Sequence, residues 1–301
     1  MADDAPPLLP PELEQEIFVT AAYVTPLAIP KFMLVAWRVK LWVEPLLYRV
    51  VMLSGIDADN GWALDSESGY PFRCSDSVLF ARALAVPPST LRDSTQHLFL
   101  VSADPDVIQP ILSAASNVED LWINNLNGDH WPLVSAMPLR RLACNLEAFA
   151  LPIIEFTHPM FSRLTHLELT FVLHPDEDIW CTGLAAIPTL THLAYNNDLG
   201  MLSLSPALLR VCNSLQALIF IALTHIPILD RSTVDPHLRD LTRDPRFVQV
   251  VCMRYVRDWQ MGALKGLDYW ERADDFISRR RSGEIDPLHY IIPGDASHDL
   301  S

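Results

Sequence analysis

Hydrophobic residues recur along this chain in a six-residue unit, L-x-x-L-x-L, with seven copies between Thr95 and Cys252. The copies read TQHLFL, VEDLWI, LRRLAC, LTHLEL, LTHLAY, LQALIF and FVQVVC. Their fourth positions are Leu98, Leu121, Leu142, Leu167, Leu193, Leu218 and Val250, spaced by 23, 21, 25, 26, 25 and 32 residues. Alternation inside the unit predicts a short strand, with the fourth and sixth residues on one face and the third and fifth on the other. Helix-like segments intervene over Asp106 to Ala115, Leu146 to Phe156 and Pro206 to Cys212. A unit of strand, turn, helix and return, repeated this often, stacks its strands into a parallel sheet with helices outside. YRVVML, from Tyr48 to Leu53, supplies a first strand, and an insertion over residues 54–93 separates it from the next copy.

The two ends follow a helical period instead. In LPPELEQEIF, Pro10 and Pro11 suit a first turn, and Glu12, Glu14 and Glu16 complement the helix dipole. Leu13, Ile17, Phe18 and Ala21 then share a face. Pro26 and Pro30 end this helix and start another. KFMLVAWRVKLWV, from Lys31 to Val43, is apolar almost all round and predicts a second helix covered from several sides. At the other end, DYWERADDFISRRRSGEI places Trp270, Ala273, Phe276 and Ile277 on one helical face, with Arg279 to Arg281 in the last turn and Gly283 just beyond. That helix is expected to cap the open end of the stack, which would otherwise leave apolar surface bare. The arginine triplet reads as a helix-terminal charge cluster before it reads as a nucleic-acid patch.

All but the last spacing fall in the roughly 20–29-residue range of leucine-rich repeats. The expected fold is therefore α/β, an N-terminal helical segment followed by a leucine-rich-repeat solenoid and a C-terminal capping helix. Composition narrows the function. At 301 residues, half of them hydrophobic, the chain buries a real core. A net charge of −15 argues against nucleic acid or an anionic membrane as the main partner. Only 10 glycines occur, with neither GxGxxG nor GxxxxGK[ST], which disfavours phosphate loops and dinucleotide folds. Five scattered cysteines without a CxxC pair suggest a reduced interior with free thiols. No secretory leader is visible, and the apolar window Phe32 to Leu53 is broken by Arg38, Lys40, Glu44 and Arg49, so the expected location is cytoplasmic or nuclear, with no membrane partner.

Chemistry is hard to find. His174, Asp176, Glu177, Asp178 and Cys181 in HPDEDIWC resemble metal ligands, but consecutive acids after His-Pro read better as a loop entering a helix. No GxSxG or HExxH occurs. No catalytic residue, metal or cofactor is expected. The third and fifth strand positions are more informative. They bring Phe99 beside Trp122 and His166 beside His192 on neighbouring strands, flanked by Asp120, Arg141 and Glu168. An exposed aromatic pair edged by mixed charge has the composition of a protein-binding hot spot, so these seven residues form the candidate target-binding set. The plain alternative is that T-H-L is merely a good strand sequence and the insertion covers the aromatics.

LPPELEQEIF and LVAWRVKLWVEPLLYRVV, the latter from Leu34 to Val51, resemble an F-box. Leu9, Pro10, Glu12, Leu13, Ile17, Phe18, Leu34, Val35, Leu47 and Tyr48 match its pattern, whereas prolines at 26 and 30 compress it and Val39 stands where tryptophan is common. The C-terminal region with DPRFVQVV is similar to the ends of fungal F-box and leucine-rich-repeat-like proteins. The resemblance implies a box over residues 8–47, a solenoid over 48–290 and a flexible tail over 291–301. It implies that Leu9, Pro10, Glu12, Leu13, Ile17, Phe18, Leu34 and Val35 bind the Skp-type adaptor of a cullin–RING ubiquitin ligase. The chain would then be the ligase's substrate receptor, holding a protein target on the repeats and doing no bond chemistry itself. The alternative is a ligase-independent interaction scaffold whose box is only a cap.

Overall fold

The computed structural model describes residues 9–54, 73–74, 86–101, 105–124, 127–146, 155–170, 172, 176–196, 199–223, 240–252 and 254–294. Most of the 54–93 insertion, most of the helix-like segment Leu146 to Phe156, and His174 therefore lie outside the described residues.

The strands are β1 (Val50–Ser54), β2 (Arg73–Cys74), β3 (His97–Val101), β4 (Asp120–Ile123), β5 (Arg141–Cys144), β6 (His166–Thr170), β7 (His192–Asn196), β8 (Ala217–Ala222), β9 (Phe247–Val251) and β10 (Ile291–Ile292). They form one parallel sheet in the order β10-β9-β8-β7-β6-β5-β4-β3-β1-β2. This is an α/β solenoid: each strand from β4 to β10 lies beside the one before it, and β1 lies between β2 and β3.

The register puts equivalent leucines side by side, Leu98 against Leu121, Leu142, Leu167, Leu193 and Leu218 in turn. All six are buried against the outer helices. Those helices are α4 (Pro88–Ser94), α5 (Pro105–Ala114), α6 (Trp131–Ser135), α7 (Glu177–Ala185) and α8 (Leu199–Val211). They contribute Leu91, Ile111, Val134, Leu184 and Leu208 to the same core. The fourth-and-sixth-position rule thus holds from β3 to β8.

It fails in β9. Leu218 pairs with Phe247, not with the third residue beyond it, so the true spacing is 29 residues. Phe247 joins the outer core, while Val248 and Val250 turn to the opposite face. FVQVV is apolar at four of five positions, so its pattern does not specify which face is which; pairing with β8 decides it.

The largest departure is at the C-terminus. Helices α9 (Tyr255–Lys265) and α10 (Tyr269–Ser282) lie across the inner face of the sheet instead of capping its end. Tyr255, Trp259, Trp270, Ala273, Phe276 and Ile277 meet Phe99, Trp122, Ala194, Ala217, Ile219 and Val248 in a second core. Trp270, Ala273, Phe276 and Ile277 share the buried face expected of them, on a different surface. The hairpin turn is tightly specified. Gly266 ends α9 at φ +69°, Asp268 caps α10 by accepting from the Glu271 amide, and a Cβ on Gly262 would meet Asp268 at 2.3 Å. The arginine triplet divides. Arg279 pairs at the surface with Asp275 and Glu284, whereas buried Arg280 donates to the carbonyls of Thr242, Asp244, Phe247 and Pro287. The chain then adds β10, so residues 291–292 belong to the sheet and not to a tail.

Trp122→Ala and Leu193→Ala, on opposite faces of the sheet, should each lower unfolding free energy by about 2–5 kcal/mol, because both faces are core. Denaturant unfolding measures this; a Trp122→Ala loss near zero would mean that the inner face is open.

Candidate functional site

At the N-terminus, α1 (Pro11–Val24), α2 (Ile29–Phe32) and α3 (Trp37–Val43) enclose a small core of Ala22, Ile29, Val39 and Val43. Val39 is fully buried there. Glu14 and Arg38 fasten α1 to α3 through two bonds of 2.9 Å. A 3₁₀ turn from Glu44 to Tyr48 then leads into β1.

The expected second helix breaks into α2 and α3, and its apolar surface is covered on one side only, where Val39 and Val43 join the small core. Leu34 is 86% exposed and Trp37 71%, with Val35 and Leu41 also in the open. On α1, Leu13 is 48% and Ile17 54% exposed, and Leu9 and Val24 extend the same row. With Glu16, Thr20, Ala21 and Thr25 these four line an open groove of about 640 Å³. Phe18 departs from the row. It packs on the small core with its ring edge-on to Phe32 at 5.9 Å. Of the eight adaptor-binding candidates, Leu9, Leu13 and Ile17 line this groove, Leu34 and Val35 are bare at the α2–α3 elbow, and Pro10 and Glu12 are exposed. Phe18 supports the helices from inside.

The target-binding candidates are brought together as the register predicts, but Phe99, Asp120, Trp122, Glu168 and His192 are buried, and Arg141 and His166 are only partly open to solvent. Phe99 stacks on Trp122 at 4.4 Å, and both are enclosed, at 0% and 2% exposure. The expected bare aromatic patch is therefore corrected: Trp259 lies over Phe99, and Trp122 Nε1 donates to the Tyr255 hydroxyl at 2.7 Å. Asp120 is buried with its carboxylate 3.0 Å from His97 Nδ1. Arg141 donates to Asp268 at 2.8 Å. The His166 and His192 rings stack at 4.1 Å with the Trp270 ring perpendicular to both, and His192 Nε2 lies 2.9 Å from Asp274. Burial, then His192, then Arg141 lower the His166 pKa to about 2.

Glu168 is the centre of this cluster. Its carboxyl accepts from the hydroxyls of Tyr255 and Tyr269 and from Asn196 Nδ2. Burial raises its pKa to about 7, against the pull of those three donors and with a further push from Asp258. Enclosed side chains with satisfied partners have the character of a structural clasp. Among the described residues, no group of His, Cys, Asp and Glu could hold a metal. In HPDEDIWC, Asp176 caps α7 by accepting from the Ile179 amide, and Glu177 and Asp178 occupy its first turn. Cys144, Cys181, Cys212 and Cys252 are free and buried. No helix among the described residues is long and apolar enough to cross a membrane.

Sequence reasoning missed Tyr255, Tyr269 and Asn196. The signal was present as an aromatic pair four residues apart in α9, Tyr255 and Trp259, next to the long apolar stripe of α10. Two adjacent amphipathic helices exceed what one end of a stack needs. No protein-family model matches the chain, and no curated protein matches it at a significant level.

Two outcomes follow from this geometry. Leu13→Asp should leave the melting temperature almost unchanged, whereas Phe18→Asp should lower the stability of the N-terminal helices by more than about 2 kcal/mol, read by thermal melts. For Glu168, a folded-state pKa above the ordinary 4.5 adds stability that is complete below pH 4.5 and is lost as pH rises through 7. His166 acts oppositely, so the wild-type profile alone would mix the two. The difference in unfolding free energy between wild type and Glu168→Gln isolates the carboxyl. It should fall by roughly 1.4 kcal/mol per pH unit between about 4.5 and 7 and level off above. A difference independent of pH would mean the carboxyl is ionised throughout.

Proposed function

We propose that this chain is an adaptor-docking subunit of a cullin–RING ubiquitin ligase, with its N-terminal helices acting as an F-box and its repeats carrying the protein target. The observation that carries the reading is the outward apolar row Leu9, Leu13 and Ile17, together with Leu34 and Val35 bare at the neighbouring elbow. These are the residues through which the sequence resembles the box. A helix serving only as a cap would turn that row inward onto the repeats; here it faces solvent, which favours a partner. Target capture on Phe99, Trp122 and their neighbours would require α9 and α10 to leave the inner face, so the proposal rests on the box. The ligase-independent scaffold remains the competing reading, and the same experiment separates them.

Full-length chain and a Skp-type adaptor should co-purify, and Leu13→Asp with Ile17→Asp should abolish the complex while circular dichroism and melting stay as in wild type. Desolvating two carboxylates in an apolar interface costs several kcal/mol, enough to lose micromolar binding. A well-folded wild-type chain that retains no adaptor would overturn the receptor reading and leave the scaffold.

A further inference from the structure

Arg49 stands where three parts of the molecule meet. Its carbonyl accepts from the amides of Gln96 and His97, both at 3.0 Å, and so begins the pairing of β1 with β3. Its guanidinium lies over the Tyr23 ring of α1, 5.0 Å from the centroid. The same group reaches the last turn of α9, donating to Ala263 O at 3.1 Å and Leu264 O at 3.3 Å.

Those carbonyls matter because a helix end leaves its last acceptors unfilled and carries a partial negative charge. The turn at Gly266 fills two of them, with the amides of Gly266 and Leu267 reaching Gly262 O and Met261 O. Arg49 takes the two that follow. One cation therefore fills two acceptors at the C-terminus of α9 and holds the last turn of α1 by a cation–π contact. The hairpin that covers the inner face and the helices that carry the exposed groove share this joint.

We propose that Arg49 couples the N-terminal helices to the inner-face hairpin, so that loosening either one loosens the other. The coupling is reciprocal by linkage. When the hairpin is seated, the guanidinium is fixed over Tyr23 and the N-terminal helices have one orientation on the solenoid. When α9 leaves, Arg49 loses both acceptors and its hold on Tyr23 slackens. This inference rests on the joint's geometry and stands whether or not the exposed groove docks an adaptor.

Hydrogen exchange on the full chain tests it. Arg49→Met keeps the apolar stem and removes the fork; it should speed exchange about tenfold or more at the amides of residues 20–24 and of 262–267, with β4 to β7 unchanged as the internal control. Tyr269→Phe loosens the hairpin from its far side by removing one bond to Glu168. In the Arg49 chain it should speed exchange in α1 as well as in the hairpin; in the Arg49→Met background it should add nothing in α1. Should Arg49→Met fail to fold, Arg49→Lys retains the charge without the fork and should give a smaller rise at both places. Faster exchange on one side only, or an α1 response to Tyr269→Phe that is the same in both backgrounds or absent from both, overturns the coupling.

Discussion

The inner face of this sheet is apolar across most of its width, and that surface has to leave water. Val50, Met52, Phe99, Trp122, Ile219, Val248 and Val250 all point to the same side. A solenoid with one set of helices covers only the other side. Here the chain returns after β9 as an α-hairpin, crosses the sheet toward β1, and comes back to add β10. The second core that results makes a layered sandwich of what the repeats alone would leave as an open arch. Its cost is topological. The crossover from β9 to β10 passes over the face opposite to the one carrying α4 to α8, so its hand is opposite to theirs, which parallel sheets rarely allow. Two helices joined at Gly266 provide the length to make that crossing.

Within this second core the polar groups lie between apolar contacts and choose the register. Glu168 accepts from both hairpin helices at once, and Arg141 and His192 reach Asp268 and Asp274 on α10. An apolar surface alone would let two helices slide or rotate. Buried groups that need particular partners penalise every other seating, because each misplacement leaves a donor or acceptor unpaired. The N-terminal helices differ. Their own core is small, and their contribution to the rest of the molecule runs through Arg49 and the 3₁₀ turn. Their remaining apolar surface, Leu9, Leu13, Ile17, Leu34, Val35, Trp37 and Leu41 among it, stays outside, in contrast to the doubly covered sheet.

Much of the architecture was legible in the sequence. The L-x-x-L-x-L unit gave strand position, face and neighbour from β3 to β8, because a two-residue alternation with leucine at fixed offsets admits one phase. The α1 helix, its proline start, and the acid-capped α7 were equally readable, since capping is local chemistry. Legibility failed where the pattern was uniform. FVQVV offers apolar residues on both faces, and KFMLVAWRVKLWV offers them all round, so neither states which side is inside.

What the sequence by itself determined is the strands β3 to β8 with their pairing and the helices α1, α7 and α10, which depend on residues close together in the chain or repeated at a fixed interval. What only the tertiary structure decided is which apolar surfaces meet. Phe99 and Trp122 read equally well as a bare binding patch or as half of a core. The difference lies in Tyr255 and Trp259, more than a hundred residues away, whose own pattern says that they must be buried but not against what. Burial is non-directional, so an apolar face specifies that it needs a cover and leaves the identity of the cover to the rest of the fold.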